Sequence, residues 1–249
     1  MYNNRIHPFE IRTWESMYYR LSNIVERDVI EKELGRPFKY PNLYEPKPIV
    51  NGLKESIIPV VTSSEKQVIS FAIWGILPEG YREDWDLFQN VFNTLNLSRE
   101  CLEDDLWYSK GFQARRCLII ASGFFTYYLH KGDIFPYYVH ASSNIPLCLG
   151  GVYNQLDDGF ITCAMIIVNS NGFIRKIQNI DRGMPLLIDT SIRQKWLDPG
   201  ADRQEIIRYV CDSREYDLTA HPIEKDFYLH RNKEVDILQP VDYGNLPLS

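Results

Sequence analysis

The sequence lacks the long apolar runs that a membrane-spanning helix requires. No stretch reaches the roughly 18 consecutive apolar residues of such a helix, and the region before Tyr18 carries Arg, His and Glu where a signal peptide has an apolar segment. We therefore expect a soluble protein that is not exported, that resides in the cytoplasm and that has no membrane partner.

Paired cysteines, metal-ligand spacings and an excess of positive charge are also missing. The 5 cysteines are an odd number without a C-x-x-C spacing, which argues against a disulfide framework and against a zinc knuckle. The 5 histidines form no H-x-x-x-H or H-E-x-x-H arrangement, so we assign no residues to a metal. With 27 Lys+Arg against 33 Asp+Glu and a net charge of −6, any nucleic-acid site must be a local patch.

The residues that are present predict one globular domain of the α+β class. Of the 249 residues, 45% are hydrophobic, which is enough for a sizeable core. Apolar patterns predict strands over 68–74, 117–128, 135–140, 147–153 and 160–168. Helical patterns cover 23–34, 191–197 and 202–211, the first with a capping box from Asn23 to Glu26. The proline-rich segment 40–59 should run extended. This order indicates a mainly antiparallel sheet that curls toward a barrel, with flanking helices.

Several short motifs stand out in order along the chain. They are Met17–Arg20 (MYYR), Trp74–Pro78 (WGILP), Asn96–Glu100 (NLSRE), Arg115–Ile119 (RRCLI) with Gly123–Phe125 (GFF), Pro136–Val139 (PYYV), Gly183–Leu187 (GMPLL) and Trp196 with Leu197. Each motif is weak alone. Their order and spacing resemble the SOS response-associated peptidase family, the SRAP domain proteins that process abasic sites in DNA. The resemblance spans about residues 17 to 198.

The resemblance implies a domain organisation and a chemistry. One SRAP-like domain should cover residues 17–240, with an N-terminal extension over 1–16 and a C-terminal tail over 241–249. Family members expose a cysteine as their first residue after methionine removal, and its amine and thiol condense with the ring-opened aldehyde of an abasic site as a thiazolidine. An asparagine positions the sugar-phosphate, a glutamate shuttles protons and a histidine assists ring opening. No cofactor is implied.

Three of the implied catalytic positions have lost the required side chain. Tyr18 stands where the cysteine belongs, and the residues that precede it leave position 18 without a free α-amine. Thr126 stands at the glutamate position and Gln178 at the histidine position, and neither titrates near neutral pH. Asn96 is retained. We therefore expect a pseudoenzyme that has lost the crosslinking activity.

What remains for the chain is non-covalent binding of single-stranded or abasic DNA. Single strands are held by aromatic platforms under the bases and by cations along the phosphates. The candidates are Trp74, Asn96, Arg115 and Arg116, which the resemblance places on the DNA-facing surface, with Arg99 and Arg182 as displaced substitutes for missing arginines. A tryptophan such as Trp74 is equally typical of the edge of a hydrophobic core. The pair Arg115 and Arg116 is equally typical of charged residues at the start of a strand. Acidic residues over 79–86 would repel phosphate.

Two other hypotheses stay open. If its cleft is occluded, the chain is a protein-interaction or regulatory module whose partner is a protein. Phe9 and Trp14 of the N-terminal extension could then cover the active site that the resemblance implies. The family's name also suggests peptide hydrolysis, for which Cys117 is the candidate nucleophile. The apolar neighbours of Cys117 favour a buried, inert thiol instead.

Overall fold

Two β-sheets form the framework of the chain. The structure, a computed structural model, describes residues 18–102, 107–212, 214–227 and 236–248. In chain order the elements are β1 (Arg20–Asn23), α1 (Arg27–Leu34), β2 (Lys47–Asn51), β3 (Ile57–Thr62), β4 (Ser70–Trp74), α2 (Trp85–Val91), β5 (Asn96–Ser98), α3 (Trp107–Ala114), β6 (Arg116–Ala121), β7 (Gly123–His130), β8 (Asp133–Ala141), β9 (Leu147–Gln155), β10 (Ile161–Asn169), α4 (Ile174–Ile177), β11 (Gly183–Pro185), α5 (Arg193–Trp196), α6 (Arg203–Cys211) and β12 (Leu218–Pro222). Short 3₁₀ turns cover Pro41–Leu43 and Arg99–Leu102.

Five strands close into a small barrel. Around the ring, β4, β3, β6, β9 and β10 pair in that order, and β10 pairs with β4 again. Only the β10–β4 contact in this ring is parallel. Gly151 of β9 permits the closure, because an added Cβ would lie 2.7 Å from the carbonyl oxygen of Ala164 on β10. The predicted mainly antiparallel, barrel-like sheet with flanking helices is confirmed.

Both strands that extend the barrel attach to β10. Its C-terminal half pairs with β5 in parallel and with β11 in antiparallel orientation. Asn96 of β5 lies opposite Met165, and Gly183 of β11 lies opposite Asn169. Residues that are far apart in sequence are thereby brought to one end of β10.

An antiparallel sheet of five strands lies beside the barrel, in the order β12, β8, β7, β1 and β2. The predicted strand 117–128 is in fact two strands, β6 in the barrel and β7 in the open sheet. They separate at Ser122, whose hydroxyl oxygen accepts hydrogen bonds from the backbone N–H groups of Ile24 (2.6 Å) and Val25 (2.8 Å). The apolar run looks continuous because β6 and the first half of β7 are buried on both faces.

Alternate residues of β6 serve two different parts of the core. Cys117 and Ile119 belong to the cluster that includes the barrel residue Trp74 and the open-sheet residue Phe124, whereas Leu118 and Ile120 belong to a second cluster. This follows from the two-residue period of a strand. The second cluster is completed by residues of α1, α3, α5 and α6, among them Ile30, Phe112, Trp196 and Ile206. The four helices therefore cover the outside of the barrel.

The first helix begins later than its sequence pattern predicts. α1 starts at Arg27, and the predicted capping box is wrong because Asn23 belongs to β1, where its amide donates to the Ile120 carbonyl at 3.3 Å. The predicted end of this helix at residue 34 is confirmed, since Gly35 caps the helix in the left-handed conformation with φ 62°. Asp202 caps α6 by accepting a hydrogen bond from the Glu205 N–H at 2.9 Å.

The described part of the C-terminal segment packs against the open sheet. The N–H of Val241 donates to the Pro222 carbonyl at 2.9 Å, and the Tyr137 hydroxyl donates to the Pro247 carbonyl at 2.6 Å. Residues 1–17, with Phe9 and Trp14, lie outside the described residues. Among the helices that the structure describes, none is long and apolar enough to cross a membrane.

Candidate functional site

Tyr18 lies buried immediately before β1. Its side chain is 5% exposed and meets the ring of Phe124 edge-on, with ring centroids 5.8 Å apart. The Tyr18 hydroxyl lies 2.8 Å from Oε1 of Gln178 and 3.0 Å from the carbonyl oxygen of Gly183. A hydroxyl has one proton to donate, so it serves one of these acceptors at a time. The phenol is thus held at a fixed place between β1 and the segment that leads into β11.

Gln178 is the hub of this site. It follows α4, and its Oε1 accepts hydrogen bonds from the hydroxyls of both Tyr18 and Thr126. Its Nε2 donates to the Gly183 carbonyl at 2.6 Å. Thr126 comes from β7 and is 1% exposed, while Gln178 is 5% exposed. Buried polar groups are costly unless they are paired. These hydrogen bonds therefore stabilise the buried arrangement of Tyr18, Thr126 and Gln178.

Asn96 joins the same site from β5. Its Nδ2 donates to the backbone carbonyl of Tyr18 at 2.7 Å. Its Oδ1 is buried and has no hydrogen-bond partner among the described residues. The four positions to which the resemblance assigns one active site, Tyr18, Asn96, Thr126 and Gln178, therefore lie together, although up to 160 residues separate them in sequence.

Electrostatics keep the phenol neutral. Burial is the main reason why the pKa of Tyr18 is raised far above that of a free tyrosine, and the negative charge of Asp181 adds to the effect. Hydrogen bonds with Thr126 and Gln178 oppose the rise. Threonine and glutamine do not titrate near neutral pH. Among the described residues, none of the four side chains gathered here, Tyr18, Asn96, Thr126 and Gln178, is therefore anionic near neutral pH. No group of three His, Cys, Asp or Glu side chains that could hold a metal ion occurs in the described ranges.

Two of the predicted DNA contacts are buried, which corrects the expectation that they face a nucleic acid. Trp74 is fully buried at the end of β4, and its indole N–H donates to the Leu95 carbonyl at 3.0 Å. Arg116 is also fully buried at the start of β6. Its guanidinium donates to four backbone carbonyls, those of Phe112, Gln113, Trp196 and Asp198. Neither side chain has surface to offer a base or a phosphate.

The other three predicted arginines reach the surface at different places. Arg115 forms a surface ion pair with Glu79. Arg99 follows β5 and lies 2.9 Å from Oε1 of Glu100. Arg182 is exposed and precedes β11, where its carbonyl accepts a hydrogen bond from the Ser170 N–H at 2.8 Å. Arg99 and Arg182 therefore flank the C-terminal end of β10, next to the site of Tyr18.

The Gly183 carbonyl is a member of the site that the sequence did not predict. It accepts a hydrogen bond from Nε2 of Gln178 and is the alternative acceptor for the Tyr18 hydroxyl. The family resemblance offered one signal, since its motif has an arginine where Gly183 precedes Met184 and Pro185 in this chain. A backbone acceptor has no side-chain signature, however, so the sequence alone could not assign it.

Comparisons with known proteins agree on the family. The family model described as "SOS response associated peptidase (SRAP)" matches residues 17–228. The abasic site processing protein HMCES of Gallus gallus is 22% identical over 211 residues, which are 73% of this chain and 60% of that protein. The chain thus spans about three-fifths of the length of that relative.

Solved structures share the fold. A crystal structure of a protein from Bacteroides thetaiotaomicron superposes with a TM-score of 0.79 at 21% identity, over 90% of this chain and 99% of that one. A protein from Bordetella bronchiseptica gives 0.66 at 15% identity, over 83% of this chain and 99% of that one. A phage-related protein of the same organism gives 0.58 at 18% identity, over 83% and 94%. With the family model covering most of its length, the chain belongs to the SRAP family.

Proposed function

We propose that this chain is a non-covalent member of the SRAP family, one that binds single-stranded DNA, including strands with abasic sites, without crosslinking to it. The observation that carries the proposal is the position of Tyr18. Its phenol is buried against Gln178, Thr126 and Gly183, in the place that the family resemblance gives to the nucleophilic cysteine. The site is closed by hydrogen bonds within the protein.

Loss of the covalent step follows from elementary chemistry. A thiazolidine forms only when one residue offers both an amine and a thiol to the same aldehyde carbon. Tyr18 offers a neutral phenol, and its nitrogen is part of a peptide bond with Met17. General acid–base catalysis needs a group that takes up and releases a proton near the working pH. Thr126 and Gln178 do neither, so the steps that open the sugar ring are also unsupported.

Surface cations support non-covalent binding beside the closed site. Arg99 and Arg182 flank the end of β10, and the guanidinium of Arg20 lies 4.8 Å from the centre of the Tyr19 ring, one residue from Tyr18. Cations beside an aromatic ring are the elements that hold single strands through phosphates and stacked bases. The similarity to an abasic site processing protein supports DNA as the partner. Because the net charge is −6, we expect modest affinity that falls steeply with salt.

The proposal is tested by fluorescence anisotropy with a labelled single-stranded oligonucleotide at several salt concentrations. Replacing Arg99 and Arg182 by Gln should weaken binding and lower the slope of log K against log salt by about 1.4, the loss expected for two phosphate contacts to a single strand. Arg27→Gln with Arg82→Gln is the matched control, since these exposed arginines pair with Asp28 and Asp157 and lie outside β5, β10 and β11. An unchanged slope in the first double variant would contradict the assigned surface.

A second candidate function is a protein-interaction module with an occluded cleft. The specific observation in its favour is that Tyr18, Thr126 and Gln178 are each 5% exposed or less. The same titration separates the two candidates. Absence of binding to DNA at low salt would refute the DNA proposal and favour the interaction module, whereas saturable, salt-dependent binding supports the first.

A further inference from the structure

A recess on the helix-covered side of the barrel gathers three cations. Its volume is about 510 Å³, and it lies between the end of α1, the β3–β4 connection and the end of α5. The residues that matter at its wall are Arg36, Lys66, Gln67, Gln194, Lys195 and Asp198. Its neighbours α1 and α5 belong to the core cluster outside the barrel, whereas Tyr18 belongs to the other cluster. The recess is therefore separate from the site described above.

Arg36 is held in a fixed orientation at this wall. It follows Gly35, which ends α1, and its Nε donates to the Lys66 carbonyl at 2.5 Å while Nη1 donates to the Leu34 carbonyl at 3.2 Å. In the part of the chain that the structure describes, its remaining nitrogen, Nη2, has no acceptor. A guanidinium positioned by two backbone carbonyls loses little side-chain entropy when it binds an anion.

The charges around the recess are not balanced. Lys66 Nζ lies 3.9 Å from Oδ1 of Asp198, and Lys195 pairs with Glu205. Beneath the wall, the buried Arg116 donates through Nη2 to the Asp198 backbone carbonyl at 2.5 Å, and all four of its hydrogen bonds go to carbonyls. Three cations, those of Arg36, Lys66 and Lys195, line the recess together with one carboxylate, that of Asp198. The local charge is therefore positive, although the whole chain carries −6.

We infer that this recess binds a phosphate monoester. A dianionic phosphate matches the excess of two positive charges better than the single charge of a phosphodiester does. Guanidinium and ammonium groups are the preferred phosphate partners, and the side-chain amides of Gln67 and Gln194 supply further donors. The inference does not depend on the proposed function, because no residue is shared with the Tyr18 site.

The test is a titration of the folded protein with inorganic phosphate, in which ¹H–¹⁵N spectra report the chemical shifts of the backbone amides. The ionic strength is held constant, and the pH is one at which phosphate is mainly dianionic. We expect saturable shifts at Gln67 and Lys195. Lys66→Gln with Lys195→Gln should weaken phosphate binding roughly tenfold, the size expected when two partly exposed cations are removed. The matched control is Lys54→Gln with Lys131→Gln, which removes the same charge from exposed positions elsewhere and should leave the affinity unchanged.

Three results would overturn the inference. The first is a linear, non-saturating response of the wild-type protein to phosphate. The second is an unchanged affinity in the Lys66 and Lys195 double variant while its spectrum shows a folded protein. The third is equally tight binding of dimethyl phosphate, which carries one charge and would identify the recess as a phosphodiester contact. Both lysine side chains are over one-third exposed, so the double variant should fold.

Discussion

Adjacent arginines in one motif should behave in opposite ways when they are replaced by methionine. Arg116 is fully buried and donates at 2.5 to 2.8 Å to four carbonyls that belong to α3, to α5 and to the turn after α5. Arg115 is one-third exposed and pairs with Glu79, which is 60% exposed. The sequence treats the two residues alike, whereas the structure gives one of them a structural role and the other a surface role.

The expected magnitudes differ because the two environments differ. In Arg116→Met, the cation is lost and four buried carbonyls lose their donor. Removal of one partner from a buried charged network typically costs about 3–5 kcal/mol, although the methionine avoids the desolvation of the charge and fills part of the volume. In Arg115→Met, a solvent-exposed ion pair worth about 0–1 kcal/mol is lost. We expect the two free energies of unfolding to differ by about 3 kcal/mol.

Urea unfolding followed by tryptophan fluorescence measures both variants against the wild-type protein. The midpoint should fall strongly for Arg116→Met and hardly move for Arg115→Met. Equal losses, or a loss below about 1 kcal/mol for Arg116→Met, would refute the assignment of the buried guanidinium. The same reasoning means that charge reversal at Arg116 cannot test DNA binding, since it would unfold the protein first.

Further predictions concern the closed site and its neighbours. Tyr18→Phe should destabilise the protein by about 1 kcal/mol in urea unfolding, because Gln178 loses one donor. Burial raises the pKa of Tyr18, so its proton stabilises the folded state fully below pH about 10 and this contribution is lost as the pH rises further. The loss of stability from pH 9 to 11 should thus be smaller in Tyr18→Phe than in wild type. Cys117 is fully buried and its pKa is raised by burial, so iodoacetamide should leave it unmodified in the native protein; rapid alkylation would revive it as a nucleophile. Removal of residues 1–16, which leaves Met17 as the initiator methionine, combined with Tyr18→Cys, Thr126→Glu and Gln178→His should restore an adduct with abasic DNA. Continued absence of the adduct in a folded variant would show that the site differs from the family's in more than these side chains.

Sequence patterns predicted four of the five barrel strands and missed β3, which was covered only in part by the predicted extended segment 40–59. β6, β9 and β10 read as apolar runs because they are buried on both faces. The break at Ser122 was not predictable, since the hydroxyl that ends β6 acts on residues 24 and 25, far away in sequence. The start of α1 was misplaced for a related reason. Asparagine is a common helix cap, but the Asn23 side chain donates a hydrogen bond to the Ile120 carbonyl and the residue belongs to β1.

The sequence predicted which residues form the candidate site, but it did not predict which side chains around the site are buried. Family motifs located Tyr18, Asn96, Thr126 and Gln178, which are neighbours in the structure. Whether a tryptophan or an arginine faces solvent depends on how distant segments pack, and residue type alone does not decide it. Trp74 and Arg116 illustrate this, because their side chains suit a nucleic-acid surface and the fold buries both.

We propose above that covalent capture is lost in this chain because Tyr18 stands in the place of the cysteine. The most direct measurement incubates the wild-type protein with a labelled single-stranded oligonucleotide that contains one abasic site, denatures the mixture and separates it on a gel. The account predicts that all of the label migrates as free oligonucleotide, including under conditions where anisotropy shows binding. A band of protein crosslinked to DNA that survives denaturation would contradict it.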